Sequence, residues 1–299
     1  MTTTEHAPAG LHMEEELRSQ PDSWAHAVAL GPQAALPADG ARVAVVGCGT
    51  SWFMAQSYAA LREQTGHGET DAFTASERFP DRPYDAVIAL SRSGTTTEVL
   101  ELLQGIRGRV RTIGIVGDPN TPLVDAVDDV IALPFADEQS VVQTRFATTT
   151  LALLRSSLGE DLNKVIADGR AAISEPLDDT IVAAEQYTFL GTGFSVGLAN
   201  EAALKMREAS QSWTESYPAK EYRHGPISIA AGGRVVWMFG DAPAGLADAA
   251  IATGAHFEQR DRDPMADLIR AQRVALERAR RRGLDPDAPR NLTRSVVLN

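Results

Sequence analysis

The sequence predicts an α/β protein built from two doubly wound parallel sheets, the second shortened, with helices on both faces. Short, continuously apolar runs alternate with helical segments in the first half, at 41–47, 84–91, 111–117 and 128–135. Runs of that kind are typical of strands buried on both faces, as in a parallel sheet. The pattern then recurs, because QYTFLGTG (186–193) resembles ARVAVVGCGT (41–50). Two related α/β units of unequal size follow from this repeat.

The order of segments predicts three parts. We expect residues 1–39 to form a tail with two helices, the second starting near Asp22 after Pro21. Residues 40–160 would form the first unit and residues 161–299 the second. The second unit contains these predicted elements: a helix at 196–211, a turn at Tyr217 and Pro218, strands at 234–240 and 254–259, and a helix at 264–282.

Composition excludes several classes of protein. The chain has 299 residues, of which 43% are hydrophobic and 23% charged, so it should bury a sizeable core. A formal net charge of -12 argues against nonspecific nucleic-acid binding. The one cysteine, Cys48, allows neither an intrachain disulfide nor a multi-cysteine zinc site, and we interpret it as a small buried apolar residue.

The sequence also indicates no membrane association and no cofactor. The N-terminus lacks the basic and apolar regions of a signal peptide, and no run of about 18 apolar residues occurs. We therefore expect a cytoplasmic protein. The six histidines show no His-Glu-x-x-His pattern or other tight ligand spacing, so no metal site is predicted.

Two strand–helix junctions are rich in hydroxyl groups. The first carries Gly49, Thr50 and Ser51, and the second spans residues 91–97, SRSGTTT. Free backbone N–H groups, a helix dipole and several hydroxyls together form a good phosphate site. Alternatively, these Ser and Thr residues only cap helices. Neither a P-loop pattern nor Gly-x-Gly-x-x-Gly is present, so a dinucleotide site is not expected.

A second constellation lies between residues 201 and 226. Glu201, Lys205 and Glu208 have the spacing of side chains on one face of a helix. A lone His224 follows, directly before Gly225 and Pro226. Carboxylates, an amine and an imidazole are the components of a proton-transfer site. The alternative is that the charges form ordinary surface pairs and the histidine is structural.

These motifs resemble the sugar isomerase (SIS) fold. The resemblance rests on CGTS after the first strand, SRSGTT after the second, and the late string EAALKMREAS…YPAKEYRHGP. It is most evident with the isomerase half of glucosamine-6-phosphate synthase. MEEELRSQP (13–21) is similar to the segment before that domain, and DAPRNLTRSVVLN to its C-terminal tail.

The resemblance implies a phosphate pocket and a sugar-lining loop. The pocket would use Ser51, Ser91, Ser93 and Thr96, with Arg92 where the family usually has Gln. Arg92 would add a charge-assisted contact to the phosphate. Val141 and Gln143, within EQSVVQTR (138–145), would face the sugar.

The resemblance also implies catalytic roles. Glu208 matches the base that moves a proton between C1 and C2, and Lys205 and Glu201 match its neighbours. His224 matches a histidine that assists ring opening and comes from the neighbouring subunit, which implies a homodimer with shared active sites.

One position departs from the family. Arg294 occupies the place of a lysine that forms a Schiff base with the ketose. Arginine is a poor imine former because it stays protonated. Lys205 would be a substitute amine if it were buried with a lowered pKa.

These observations lead to an expected activity on a hexose or amino-sugar phosphate. The chain starts near the isomerase boundary, so no glutaminase activity is expected, and deamination or deglycation is favoured over synthesis. Plain aldose–ketose isomerisation remains open. The alternative from another class is a non-catalytic sugar-phosphate-binding regulatory protein. The presence of Glu201, Lys205, Glu208 and His224 together favours an enzyme, because a sensor needs only the phosphate site.

Overall fold

Two parallel sheets organise the protein, as seen in a computed structural model that describes residues 8–298. The first sheet has five strands in the order β2-β1-β3-β4-β5, and the second has four in the order β7-β6-β8-β9. The strands are β1 (Val43–Gly47), β2 (Thr70–Thr74), β3 (Ala86–Ser91), β4 (Arg111–Val116), β5 (Asp129–Ala132), β6 (Gln186–Gly191), β7 (Trp213–Pro218), β8 (Arg234–Phe239) and β9 (His256–Gln259). If the strands of the second sheet are counted from β6 as the first, their order is 2-1-3-4. This repeats the strand order of the first sheet with one strand fewer. The predicted architecture is therefore confirmed.

Helices cover the sheets on both faces. They are α1 (Leu11–Ala29), α2 (Thr50–Gln64), α3 (Thr97–Ile106), α4 (Pro122–Ala126), α5 (Arg145–Ser157), α6 (Asn163–Ser174), α7 (Asp179–Ala183), α8 (Ser195–Ser210), α9 (Leu246–Ala252) and α10 (Pro264–Arg281). In the part of the chain that the structure describes, none of them has the length and apolarity needed to cross a bilayer.

One hydrophobic core joins the two sheets. Helices α2 and α8 pack against each other between them, and their apolar side chains belong to the same buried cluster as β1 and β6. The two helices approach closely at Gly197, where an added Cβ would lie 2.3 Å from Oγ of Ser57. The boundary predicted at residue 160 falls in a loop between α5 and α6. The division into domains stays a prediction.

The N-terminal segment corrects one expectation. A single helix, α1, runs through Pro21 instead of ending before it. Proline has no N–H for the carbonyl of Leu17, and the side-chain amide of Gln20 donates to that carbonyl at 3.3 Å. Pro21 is buried, so packing favours the continuous helix. The start of the predicted tail, residues 1–7, lies outside the described residues.

The strand β7 corrects a second expectation. Tyr217 and Pro218 do not form a turn; they end a strand that pairs in parallel with β6. Proline is tolerated there because β7 is an edge strand and the residue is its last. Trp213, which begins the strand, is 75% exposed, so it is not a core residue of this chain.

Candidate active site

The hydroxyl-rich junctions meet at the carboxyl edge of the first sheet. Strands β1 and β3 are neighbours, and the chain leaves them in opposite directions, toward β2 and β4. Such a reversal of strand order opens a crevice at the ends of the strands. Ser51, just inside α2, and residues 91–97, between β3 and α3, border that crevice.

A cavity of about 190 Å³ occupies the crevice. Its wall combines side chains from both sheets and from the C-terminal tail. The lining residues are Cys48, Gly49, Thr50, Ser51, Leu90, Ser91, Arg92, Ser93, Thr96, Val99, Val141, Gln143, Lys205, Glu208, Leu292, Thr293, Arg294, Ser295 and Val296. Ten of the twelve predicted site residues therefore border one cavity, and the two that do not are Glu201 and His224.

The loop at 91–97 is shaped by its own hydroxyls. The backbone N–H of Gly94 donates to Oγ of Ser91 at 3.1 Å, and the N–H of Thr95 donates to Oγ of Ser93 at 3.2 Å. Each serine hydroxyl accepts one of these bonds and keeps its own O–H as a donor. Gly94 has φ +61°, and a Cβ there would lie 1.9 Å from Oγ1 of Thr121. Only glycine fits this tight turn.

Helix α8 supplies the charged end of the cavity. Lys205 is buried, and its Nζ forms an ion pair with Oε2 of Glu208 and lies 3.6 Å from Oε1 of Glu201. Lys205 and Glu208 border the cavity, whereas Glu201 lies beneath them, fully buried. A carboxylate beside an ammonium in a small cavity can accept a proton from a bound ligand.

Burial changes the pKa values of this trio. Desolvation raises the pKa of Glu201 to about 8, and the neighbouring Glu208 adds to the increase. For Lys205, desolvation favours the neutral amine, but attraction to Glu201 and Glu208 outweighs it, so the pKa is raised. The idea that Lys205 is an imine-forming amine with a lowered pKa is therefore wrong. Two carboxyl groups within reach keep this ammonium charged.

The predicted sugar-lining loop borders the same cavity through Val141 and Gln143. Glu138 holds this loop in place at the start of α5. Its carboxylate accepts hydrogen bonds from the backbone N–H groups of Thr144 and Arg145, each at 2.6 Å. A carboxylate is favoured there by the helix dipole. Nε2 of Gln143 is buried with no hydrogen-bond partner among residues 8–298, so it offers a free donor at the cavity wall.

The two arginines of the site contact protein groups. Nη1 and Nη2 of Arg92 donate to the carbonyls of Ser140 (2.9 Å) and Arg294 (2.7 Å). Nη2 of Arg294 donates to both carboxylate oxygens of Asp137, at 2.6 and 2.8 Å. Direct contact of either guanidinium with substrate stays a prediction.

His224 lies apart from the cavity of its own chain. It is exposed, in a short 3-10 turn (Tyr222–His224) after β7. Its contribution to the site of a second copy stays a prediction.

Sequence reasoning missed part of the site. The tail residues around Arg294 line the cavity, although only Arg294 was predicted. Their signal was weak because they contact a loop about 200 residues away in the chain, as Ser295 does through Thr95. Cys48 is half-buried at the cavity wall, where burial and the nearby Glu98 raise its pKa to about 11. Its thiol is therefore not a nucleophile at neutral pH.

A larger cavity of about 650 Å³ lies elsewhere, between the loop at 75–84 and α3. Size alone does not identify an active site, and convergent polar groups do so better. That cavity contains neither the Lys205–Glu208 pair nor the hydroxyls of the 91–97 loop. Within residues 8–298, no cluster of three or more His, Cys, Asp or Glu side chains is arranged to hold a metal ion.

Comparison with known proteins agrees with the predicted sugar isomerase (SIS) resemblance. The model of the SIS domain family matches residues 38–158. Residues 38–158 are thus similar to a SIS domain, and the predicted resemblance is confirmed.

Particular relatives extend the likeness over most of the chain. The glutamine–fructose-6-phosphate aminotransferase (isomerizing) of Gloeobacter violaceus is 29% identical over 333 residues, covering 91% of this chain and 54% of that protein. The chain therefore spans about half the length of the curated relatives it matches.

Solved structures give a similar result. The structure of glucosamine-6-phosphate deaminase from Thermotoga maritima superposes with a TM-score of 0.83 at 25% identity, covering 95% of this chain and 99% of that one. The C-terminal domain of glucosamine-fructose-6-phosphate aminotransferase from Francisella tularensis gives a TM-score of 0.76 at 21% identity, covering 97% and 100%. The second likeness shows the fold alone.

Proposed function

We propose that this protein is an enzyme that deaminates a phosphorylated amino sugar, with Glu208 moving a proton between C1 and C2. The observation that carries the proposal is the meeting of the Lys205–Glu208 ion pair and the hydroxyls of the 91–97 loop in one cavity. A phosphate bound at the loop would place the reacting carbons near the carboxylate. A non-catalytic binding protein needs only the phosphate site, so the ion pair in the same cavity favours turnover.

The reaction proceeds on the open-chain form of a 2-amino aldose 6-phosphate. Glu208 removes the proton from C2, and protonation of the C1 oxygen completes a C1–C2 enolamine. The ammonium of Lys205 stabilises negative charge on that oxygen as it develops. Return of the proton to C1, with loss of an N–H proton, turns the enolamine into a C2 imine. Water then adds at C2, the C–N bond breaks, and ammonia leaves behind a 2-ketose phosphate.

This route needs no lysine at position 294, because the imine forms on the nitrogen of the substrate itself. The likeness to a glucosamine-6-phosphate deaminase, which covers nearly all of both chains, supports deamination over plain isomerisation. We further propose a homodimer in which His224 of each copy assists ring opening in the other. In this view residues 40–160 and 161–299 act as two SIS units around shared sites.

The test is turnover of glucosamine 6-phosphate, followed by ammonia release and fructose 6-phosphate formation. We expect equal amounts of both products, and a loss of about 10²-fold or more in kcat for Glu208→Gln. Glu185→Gln, at an exposed position, is the matched control and should retain full activity. No turnover by the wild-type protein, or undiminished turnover by Glu208→Gln, would refute the proposal. A ketose formed without ammonia from an unaminated aldose phosphate would point to plain isomerisation.

A further inference from the structure

The C-terminal residues 292–298, which we call the tail strap, close one side of the cavity. Residues 292–296 line it. Backbone and side-chain bonds tie the tail strap to the loop at 91–97: the N–H of Thr97 donates to the carbonyl of Val296 at 3.1 Å, and the N–H of Leu298 donates to Oγ1 of Thr97 at 2.9 Å. The tail strap therefore lies directly over the proposed phosphate site.

Arg92 joins three segments of the site. It is buried, and it leaves the 91–97 loop to donate to the carbonyl of Ser140 in the sugar-lining loop and to the carbonyl of Arg294 in the tail strap. Its nearest carboxylate is Glu138, at 3.9 Å. A planar guanidinium suits this task because its donors point in several fixed directions.

Arg294 completes the connection from the other side. Its Nη2 binds both oxygens of Asp137, and its Nη1 donates to the carbonyl of Glu138. The Arg294 and Asp137 side chains are 40% and 30% exposed, so water and salt can compete for this pair. Water reaches the buried Arg92 less easily, so the Arg294–Asp137 pair is the link that breaks first when the tail strap lifts.

We propose that Arg92 and Arg294 act as positioning residues that hold the tail strap closed and so restrict the substrate to a small, unconjugated sugar phosphate. This inference rests on the proposed function and deepens it. The cavity, at about 190 Å³, is smaller than the roughly 300–1,000 Å³ of pockets that hold drug-sized ligands. A sugar phosphate that carries an amino acid through a nitrogen on C1 or C2 needs more room, which it gains only if the tail strap lifts. We call the bonds of Arg92 and of the Arg294–Asp137 pair the clasp. By holding the tail strap closed, the clasp favours deamination of a free amino sugar over cleavage of N-linked conjugates.

Three variants test the clasp: Arg294→Gln, Asp137→Asn and the double variant. We would measure kcat/KM for glucosamine 6-phosphate and for 6-phosphofructosyl-lysine, a conjugate with lysine on C1. Each single variant should shift the preference toward the conjugate by about tenfold, and the double variant no further, because all three break the same pair. Arg290→Gln, an exposed arginine just before the tail strap, should leave the preference unchanged.

Hydrogen exchange supplies a readout that does not depend on turnover. The amides of Thr97 and Leu298 should exchange faster in Arg294→Gln and Asp137→Asn than in the wild type or Arg290→Gln, while amides of α10 stay protected. That last result shows that the variants remain folded.

The outcomes separate the two proposals. If no sugar phosphate is turned over but exchange rises as expected, the proposed function fails and the clasp stands. Unchanged exchange at Thr97 and Leu298 overturns the clasp. So does a loss of activity on glucosamine 6-phosphate in Arg294→Gln that Asp137→Asn does not share, because Arg294 would then contact the substrate itself.

Discussion

The ammonium of Lys205 lies 3.6 Å from the carboxyl group of Glu201, yet in the described chain neither oxygen of Glu201 has a hydrogen-bond partner. Full burial raises the pKa of Glu201 to about 8, and repulsion by Glu208 contributes to the increase. At neutral pH Glu201 is therefore mostly protonated. The ammonium of Lys205 is then left with Glu208 as its ion-pair partner, which is the arrangement that the proposed proton transfer needs.

The raised pKa of Glu201 predicts a pH-dependent contribution to stability. In the unfolded chain a glutamate titrates near 4.5, whereas in the folded chain Glu201 titrates near 8. Between these values the folded state binds the extra proton, so stability from this group is complete below about pH 4.5 and is lost as pH rises through 8. Glu201→Gln removes that loss. Urea unfolding of both proteins at pH 5.5 and 8.5 measures it.

Glu16 and Asp267 also have raised pKa values, about 7 and about 6, so they too make the free energy of unfolding depend on pH. For this reason the pH dependence of the wild type has to be compared with that of the variant. Both remain in Glu201→Gln, so only the difference between the two proteins reports Glu201. We expect the wild type to lose more stability than Glu201→Gln between the two pH values. An equal loss in both proteins would mean that Glu201 is already ionised at neutral pH.

The serine hydroxyls of the 91–97 loop predict a specific loss of phosphate affinity. Removing one hydrogen bond to a charged group costs about 1.5–3 kcal/mol, so Ser93→Ala should raise KM for a sugar phosphate by about tenfold or more. Its kcat should change much less, because the bond holds the phosphate throughout the reaction. Ser76→Ala, at an exposed position, is the control. Steady-state kinetics and competition by inorganic phosphate provide the measurement.

A loss that is equally large for an unphosphorylated sugar would argue against a phosphate role for Ser93. Gly94→Ala offers a structural comparison at the same loop. The Cβ clash with Thr121 and the positive φ should distort the whole turn, so this change should lower both affinity and thermal stability.

The exposed position of His224 predicts complementation between inactive variants. If His224 serves the site of a second copy, Glu208→Gln and His224→Ala should each be nearly inactive. Mixed after dissociation and reassociation, they should recover about a quarter of wild-type activity, since half of the dimers are hybrids with one complete site of two. Activity assays of the mixture measure this recovery, and sedimentation measures whether dimers have formed. No recovery from a mixture shown to contain hybrids would exclude a shared site.

The sequence by itself determined the architecture and most of the candidate site. Continuous apolar runs indicated parallel strands because both faces of such strands are buried, and the helical spacing of Glu201, Lys205 and Glu208 placed them on one face of a helix before any coordinates. It did not reveal β7, whose polar residues suit an edge strand exposed on one side. It also misjudged α1, because the bond from Gln20 that carries the helix past Pro21 depends on side-chain geometry.

Only the tertiary structure decided how the site residues are used. Local sequence cannot report the electrostatic field at a buried position, so the sequence alone allowed Lys205 to be an amine nucleophile. In the fold, attraction to two carboxyl groups raises its pKa. Nor does sequence show that Arg92 and Arg294 bind carbonyls and a carboxylate from segments far away in the chain. Those contacts exist because the two sheets share one core, and that packing brings residues near 92, 138, 205 and 294 around a single cavity.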